Sequence, residues 1–211
     1  MDLLTQRRAM MRKESQVTPY QRVEYLESSG TQYIDTGISP PQLGDRFLYH
    51  VEIMWQSRSN RQLMGAQNIC FWGLNAAGRY ESFNATAYNG STTSFDVVEF
   101  VMAKAGGKTY RRFTYINQEL QSSAWSSSSA FATSNICIFG ILETDGQALD
   151  TRYPCSCKIR SFRIFNDQTG DVYFDAVPVR VGQVGYMYDK VSGQLFGNAG
   201  TGDFVIGPDI N

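Results

Sequence analysis

The chain has 211 residues with 19 basic and 20 acidic side chains, a formal net charge of −1, and aromatic residues make up 13% of it. The near-neutral charge excludes a general nucleic-acid binder, which needs a clustered excess of basic charge, and the aromatic content excludes a disordered chain. No apolar run approaches the ~20 residues that a membrane-spanning helix needs, so we expect no membrane partner.

The first 18 residues carry four basic and two acidic side chains, whereas acidic side chains exceed basic ones in the rest. In a helix, the apolar residues of this segment would lie on one side, and Arg7 would lie in the middle of that side. We predict a short helix or extended arm that anchors the chain to a partner or joins copies of it through Leu3, Leu4, Arg7, Arg8, Met10 and Met11. The alternative is a frayed, solvated terminus. The segment has no apolar stretch of roughly 7–15 residues, so a secretory signal is not expected.

From Tyr20 onward the pattern predicts strands. Residues 45–55 alternate between polar and apolar side chains, and the apolar ones are Phe47, Tyr49, Val51, Ile53 and Trp55. Turn residues separate further predicted strands at 69–74, 94–104, 108–117, 136–142, 156–165 and 172–181. Many short strands, 19 glycines and no helical period predict one all-β domain over residues 19–211. The expected architecture is an antiparallel two-sheet jelly-roll sandwich.

The sequence offers few groups for catalysis. His50, the one histidine, lies in mid-strand on a polar face, which favours a solvated or hydrogen-bonded structural role over a place in a catalytic triad. Asp171 and Asp175 share a strand face, but at ~3.3 Å per residue they would lie ~13 Å apart, whereas glycosidase carboxyls need about 5–9.5 Å. Glu143 and Asp145 would lie closer, but Asp145 falls in a predicted turn. We therefore expect no enzyme.

The cysteines and the acidic loop residues give weak metal signals. The four cysteines are Cys70, Cys137, Cys155 and Cys157. We expect them to be reduced and mostly buried. Cys155 and Cys157 would point to one strand face and are poorly placed to bond each other; a lone Cys-x-Cys pair also fits zinc badly. Calcium stays possible, because Thr144, Asp145 and Asp150 could supply oxygen ligands, although a solvated turn is favoured. No other cofactor is expected.

Three aromatic residues are candidates for contact with a sugar. Such sites pair aromatic rings with side-chain amides and carboxylates. Tyr80 and Tyr88 lie in or beside the polar stretch 84–93, and Trp125 lies in the serine-rich stretch 122–129. The alternative for each is that its ring caps the sandwich core. Trp55 and Trp72 lie in predicted strands and are expected in the core.

Two segments are specific enough to suggest a family. The first is VEYLESSGTQYIDTG at residues 23–37, and the second spans residues 184–204 with VGYMYD, SGQLF and NAGTGDF. Between them, KIRSFRIF at 158–165 and DAVPV at 175–179 also fit. Over residues 20–211 the chain resembles laminin-G-like, concanavalin-A-like jelly-roll domains of phage and prophage structural proteins of gut bacteria.

The resemblance implies two packed antiparallel sheets of roughly a dozen strands, without a catalytic site. It implies a virion structural protein, of head-fibre, tail-fibre or decoration type, assembled in the bacterial cytoplasm. Such a protein would be a homo-oligomer, with a trimer as our expectation, and would bind other virion proteins through residues 1–18. Relatives of the wider fold often bind glycans, sometimes with calcium, so adhesion to host-surface or mucus glycans is expected too. The alternative is a stand-alone lectin-like module; a glycoside hydrolase of this fold is less favoured.

The motif residues themselves suit structural roles. Gly30, Gly37, Gly193 and Gly200 suit tight turns. Tyr25, Tyr33 and Phe204 suit packing of the terminal strands against each other. The motifs therefore transfer no ligand site to this chain.

Overall fold

The computed structural model describes residues 20–58, 62–66, 71–82, 85–106, 109–126, 134–143 and 148–211. In this part of the chain, two antiparallel sheets face each other, and one 3-10 turn, Pro40–Leu43, precedes the long central strand. The predicted all-β sandwich is confirmed. The candidate anchor at residues 1–18, with Leu3, Leu4, Arg7, Arg8, Met10 and Met11, lies outside the described residues. Within them, no helix has the length and hydropathy needed to cross a membrane.

The strands follow one another closely along the chain. In order they are β1 (Gln21–Arg22), β2 (Leu26–Ser29), β3 (Ile34–Asp35), β4 (Arg46–Trp55), β5 (Gln62–Gly65), β6 (Phe71–Leu74), β7 (Arg79–Ser82), β8 (Ala85–Asn89), β9 (Asp96–Gly106), β10 (Thr109–Ile116), β11 (Glu119–Ser126), β12 (Cys137–Ile138), β13 (Ser156–Phe165), β14 (Val172–Val181), β15 (Val184–Asp189), β16 (Gln194–Phe196) and β17 (Val205–Ile206).

The large sheet has the strand order β11-β10-β9-β4-β13-β14-β15-β16. Beside this path, β1 pairs with β14, and β2 pairs with both β13 and β17. The small sheet has the order β3-β12-β5-β6-β7-β8. The first two strands and the last strand of the described residues therefore join the large sheet. Its four longest strands, β9, β4, β13 and β14, are consecutive neighbours at its centre.

Most predicted strands appear close to their predicted positions. The alternation in 45–55 becomes β4, and the predicted strands 94–104 and 108–117 become the antiparallel pair β9 and β10. The prediction for residues 136–142 was wrong in extent, because only Cys137 and Ile138 form a strand there. Phe139 adopts a positive φ of 68°, a left-handed conformation that interrupts an extended strand.

The core lies between the sheets and is rich in aromatic rings. The inner face of the large sheet buries Phe47, Tyr49, Phe100, Phe162 and Phe174. The Tyr49 ring centroid lies 5.8 Å from that of Phe100 and 5.9 Å from that of Phe162, which is favourable spacing for aromatic packing. These contacts join β4 to β9 on one side and to β13 on the other, so the centre of the sheet is rigidly supported.

The two motif segments bond to each other. The Thr201 amide donates to the Thr31 carbonyl at 3.1 Å, and the Ala199 amide donates to the Tyr33 carbonyl at 2.8 Å. Gly200 lies between them, and a Cβ there would collide with the Thr31 carbonyl oxygen. This glycine is therefore required for close backbone approach rather than for a left-handed turn. The motifs hold the two ends of the domain together.

The cysteines in the described part of the chain are buried free thiols. Cys155 and Cys157 point to the same face, as their spacing predicts, with their Sγ atoms 3.6 Å apart. Burial raises the pKa of the Cys137 thiol and of the Cys157 thiol. A protonated, buried thiol is a poor nucleophile, so these residues serve packing. Cys70 lies outside the described residues.

Candidate functional site

Tyr80, the first sugar-contact candidate, belongs to the core. Only 1% of its surface is exposed. Trp55 Nε1 donates to the Tyr80 hydroxyl at 2.9 Å, and that hydroxyl donates to Asp96 Oδ2 at 2.9 Å. Burial, with the nearby Asp96 charge, raises the pKa of Tyr80 well above its usual value. The ring offers no face to solvent, so the expectation of a sugar contact at Tyr80 was wrong. Trp55 and Trp72 are buried, as predicted.

The other two candidates lie on strands at the sheet edges. Tyr88 is on β8, the edge of the small sheet, and 54% of it is exposed. Trp125 is on β11, the edge of the large sheet, where its backbone pairs with Arg111; its side chain lies outside the described residues. Because β8 and β11 are in contact, Tyr88 and the strand of Trp125 lie on the same side of the sandwich.

The outer face of the large sheet, which points away from the small sheet, carries an apolar row across four strands. Register places Phe113 of β10, Val101 of β9, Leu48 of β4 and Phe165 of β13 side by side. Val101 and Leu48 are buried although they point away from the core, and both phenylalanines are half-buried. With strands about 4.8 Å apart, the row spans about 14 Å. We call these four residues the apolar row.

An arginine row runs along one side of the apolar row. Register aligns Arg111 of β10, Ala103 of β9 and Arg46 of β4. The Arg111 guanidinium lies over the Phe113 ring, 4.7 Å from its centroid. Arg46 donates from Nε and Nη2 to the two oxygens of Asp167, at 2.5 and 2.6 Å. This two-bond pair raises the pKa of Arg46 and lowers the pKa of Asp167, so both groups are held charged and fixed.

A polar row lies on the other side of the apolar row. It aligns Tyr115, Glu99, His50 and Arg163 on four consecutive strands of the sheet. His50 Nδ1 lies 3.1 Å from Glu99 Oε1, so the histidine is hydrogen-bonded, the role favoured from sequence. The Arg163 guanidinium lies over Phe165, 4.6 Å from its ring centroid. Each phenylalanine of the apolar row therefore has an arginine stacked on it.

A groove of about 390 Å³ opens at the arginine row. The small side chains of Ala103 and Ala105 leave space between the longer side chains around them, which are Asp45, Arg46, Lys104, Arg111, Phe113 and Gln168. Lys104 Nζ donates to Asp45 Oδ1 at 2.9 Å, a contact that raises the pKa of Lys104. A ligand in this groove would meet guanidinium, ammonium, amide and carboxylate groups beside an apolar surface.

A second cavity, of about 330 Å³, lies between the motif segments, where Thr31, Tyr33, Leu149, Thr151, Gly200 and Thr201 line it.

Asp150, one of the calcium candidates, lies near this cavity. Its carboxylate is bound by Arg152 Nε at 2.8 Å and by Arg152 Nη2 at 2.7 Å. This bonding lowers the pKa of Asp150 and occupies its oxygens. Thr144 and Asp145 lie outside the described residues. In the described ranges, no group of three or more His, Cys, Asp or Glu could hold a metal ion.

Sequence reasoning missed the groove and the apolar row. Strand β10 alternates buried Tyr110 and Arg112 with the outward Arg111 and Phe113. Both faces mix arginine with aromatic residues, so alternation alone does not say which face is outside. One partial signal was present: Arg-x-Phe occurs at 111–113, 160–162 and 163–165. The first and third pairs become guanidinium–ring stacks on the outer face, whereas Phe162 is buried in the core.

Comparisons with known proteins support the fold. No protein-family model matches the chain, and a search of curated proteins found no match. Among solved structures, the chain is similar to a protein of Bacteroides ovatus ATCC 8483 described as a "putative carbohydrate binding protein", with a TM-score of 0.59 and 11% identity. The match covers 90% of this chain and 61% of that chain. The class that these findings define is an all-β, two-sheet sandwich domain.

Proposed function

We propose that this chain is a non-catalytic module that binds carbohydrate on the outer face of its large sheet. The observation that carries the proposal is the apolar row flanked by fixed polar groups, with a groove of about 390 Å³ at one end. Ligand sites of this kind combine apolar surface with a few placed polar groups. The description of the Bacteroides ovatus structural neighbour as a "putative carbohydrate binding protein" agrees with the proposal.

The binding mechanism follows from the two kinds of surface. Because Leu48 and Val101 are buried, the C–H face of a pyranose ring would pack on the exposed parts of Phe113 and Phe165, which are half-buried. Its hydroxyl groups would hydrogen-bond to planar groups at the groove, such as Arg46, Asp167 and Gln168. Because Arg46 and Asp167 already hold each other in place, little side-chain entropy would be lost on binding.

A glycan array run on the full chain, with calcium and again with chelator, tests the proposal. We expect specific binding in both conditions. Arg46→Ala should then lower the affinity for the bound glycan about 10-fold, the effect of losing a charge-assisted hydrogen bond. Arg180→Ala is the matched control, because Arg180 makes an equivalent two-bond pair with Asp209, at 2.7 Å for each bond, away from the groove.

A silent array with folded protein would contradict the proposal. Equal loss of affinity in Arg46→Ala and Arg180→Ala would mean that the glycan does not bind at the groove. Binding that disappears with chelator would instead indicate that the glycan is bound through calcium.

We further propose, on the sequence resemblance alone, that the module is displayed on a virion as part of a fibre or decoration protein. Residues 1–18 would attach it to other virion proteins or join its copies into a homo-oligomer, with a trimer expected. A variant lacking residues 1–18 should keep its fold, by circular dichroism, and lose its assembly, by light scattering. An unchanged oligomeric state would contradict this role for the segment.

A further inference from the structure

A second pair of aromatic rings lies on the outer face of the large sheet, at the opposite end of β4 from the apolar row. Tyr25 directly precedes the buried Leu26 of β2, and Phe95 directly precedes the buried Asp96 of β9. Because successive side chains of an extended strand alternate between faces, both rings point away from the core. Their centroids are 6.3 Å apart, and both rings are half-buried. We call these two residues the Tyr25–Phe95 pair.

A cation supports each ring of this pair, as arginines support the phenylalanines of the apolar row. Lys158 Nζ lies 4.5 Å from the Tyr25 ring centroid. The Arg160 guanidinium lies 3.8 Å from the Phe95 ring centroid. Such contacts hold a ring in place by attraction between the cation and the ring face. The exposed part of each ring is therefore a fixed apolar surface that a ligand can contact.

The charges beside the Tyr25–Phe95 pair cancel. Lys158 Nζ lies 3.5 Å from Glu27 Oε2, and Arg160 donates a hydrogen bond to Glu24 Oε1. Two cations and two carboxylates leave this part of the face without the excess charge that attracts ions. Apolar rings with hydrogen-bonding groups around them suit the C–H faces and hydroxyl groups of an uncharged sugar.

Strand β4 fixes the distance between the Tyr25–Phe95 pair and the apolar row. Leu48 of the apolar row pairs with Phe165, and Met54, six residues further along β4, pairs with Lys158. At ~3.3 Å per residue, the two sites are about 20 Å apart. A disaccharide is too short to reach both sites, whereas a linear chain of about four or more pyranose rings is long enough to span this distance.

Hydrogen-bonding groups cover the face between the two sites. His50 Nδ1 lies 3.1 Å from Glu99 Oε1, and Ser161 Oγ donates to Glu52 Oε1 at 3.0 Å. All four side chains are half-buried. A carboxylate accepts more than one hydrogen bond, so Glu52 and Glu99 can also accept from sugar hydroxyl groups. A glycan chain that joins the two aromatic sites would therefore meet polar groups along its path.

We propose that the Tyr25–Phe95 pair is a second sugar subsite, so that the module binds a neutral, linear glycan of about four or more sugar units. The inference rests on the proposed carbohydrate-binding function and specifies its ligand class. One pyranose ring packs on the apolar row, and another ring of the same chain packs on Tyr25 and Phe95. Because both contacts belong to one ligand, binding at the first site raises the effective concentration of the chain at the second.

Titration calorimetry on the full chain, in chelator, tests this with ligands of matched linkage. The probes are cellobiose against cellohexaose, laminaribiose against laminarihexaose, and mannobiose against mannohexaose. We expect at least one hexasaccharide to bind about 10-fold more tightly than its disaccharide, or tighter still, with one hexasaccharide per chain. A longer chain also offers a single subsite more places to bind, so variants are needed to separate one subsite from two.

The variants change the second subsite alone. Phe95→Ala should lower the affinity for that hexasaccharide about 10-fold and leave the disaccharide affinity unchanged. Tyr25→Ala should act in the same direction, and Phe95→Tyr should keep most of the affinity. Val191→Ala is the matched control, because it removes an exposed apolar side chain from the turn between β15 and β16, and it should change neither affinity. Circular dichroism checks that each variant is folded.

The outcomes separate this inference from the proposed function. Disaccharides and hexasaccharides that bind equally well would overturn the second subsite and leave carbohydrate binding standing. A length preference that survives in both Phe95→Ala and Tyr25→Ala would also overturn it, as would equal losses of disaccharide and hexasaccharide affinity in Phe95→Ala. Binding of array glycans without binding of any of the three hexasaccharides would overturn the neutral, linear ligand class. If no probe and no glycan on the array binds, the proposed function itself fails.

Discussion

The two faces of the large sheet carry similar aromatic side chains against different partners. On the inner face, Phe162 contacts Tyr49, with ring centroids 5.9 Å apart, and Phe174, with centroids 6.3 Å apart. On the outer face, Phe113 and Phe165 each contact a guanidinium group, at 4.7 and 4.6 Å from the ring centroid. Rings packed on rings exclude water and stabilise the fold. Rings packed on guanidinium groups keep polar donors beside an apolar surface, which suits recognition.

The polar groups of the two faces differ in the same way. At the inner face, the Asp96 carboxylate is buried and accepts from the Tyr80 hydroxyl and from the Ser91 amide, each at 2.9 Å. Both of these hydrogen bonds join the carboxylate to other parts of the folded chain, and none is available to a ligand. At the outer face, Asp167 and Arg46 are about one-third and one-quarter exposed, so they can bond to a ligand as well as to each other. The comparison predicts that stability and binding can be changed separately.

The largest expected effect is on stability, from Tyr80→Ala. Removing this buried ring should lower the free energy of unfolding by about 3–5 kcal/mol, because it leaves a cavity beside Trp55 and removes a hydrogen bond to Asp96. Urea unfolding measures this change. Tyr80→Phe is the control and should lose less, about 1–3 kcal/mol. Glycan affinity should be unchanged in folded Tyr80→Phe; a loss there would mean that the two faces are coupled.

An intermediate effect is expected on binding, from Phe113→Ala. Loss of the ring removes apolar surface and the support for Arg111, so glycan affinity should fall about 10-fold, while the free energy of unfolding should change by about 1 kcal/mol. Calorimetry and urea unfolding check the two values. Tyr88→Ala and Trp125→Ala are the comparison variants for the β8–β11 side. If either lowers affinity more than Phe113→Ala does, the glycan binds at that side.

The strands could be predicted from the sequence because their signal is local. Alternation in residues 45–55 depends on neighbours two positions apart, and β4 follows it. The bounds of β13 and β14 agree with the predicted 156–165 and 172–181 for the same reason. Phe139 shows the limit of prediction from local signals. The apolar run at 136–142 correctly predicts that this residue is buried, but its left-handed backbone, at a φ of 68°, depends on tertiary packing.

The candidate site could not be predicted because it depends on register between distant strands. Leu48, Val101, Phe113 and Phe165 become neighbours only after four strands align, and no sequence spacing encodes that alignment. Tyr80 failed as a candidate for a related reason. Its polar sequence neighbours suggested a surface position, but its hydroxyl has two buried partners, one of them on β4, 25 residues away.

The smallest expected effect is on the outer face, from Asp167→Asn. Arg46 lowers the pKa of Asp167, so the charged carboxylate stabilises the folded chain above the unfolded-state pKa of about 3.9. That contribution disappears as pH falls through the lower folded-state pKa. The variant should be less stable than the wild type by less than about 1 kcal/mol at pH 7, and the gap should close toward pH 3 in thermal melts. A gap that stays constant as the pH falls below about 4 would mean that Asp167 acts through packing rather than charge. Asp209→Asn removes the carboxylate that Arg180 binds. Its stability should show the same dependence on pH, but its glycan affinity should be unchanged. Of the two carboxylates, only Asp167 would then contribute to both stability and binding.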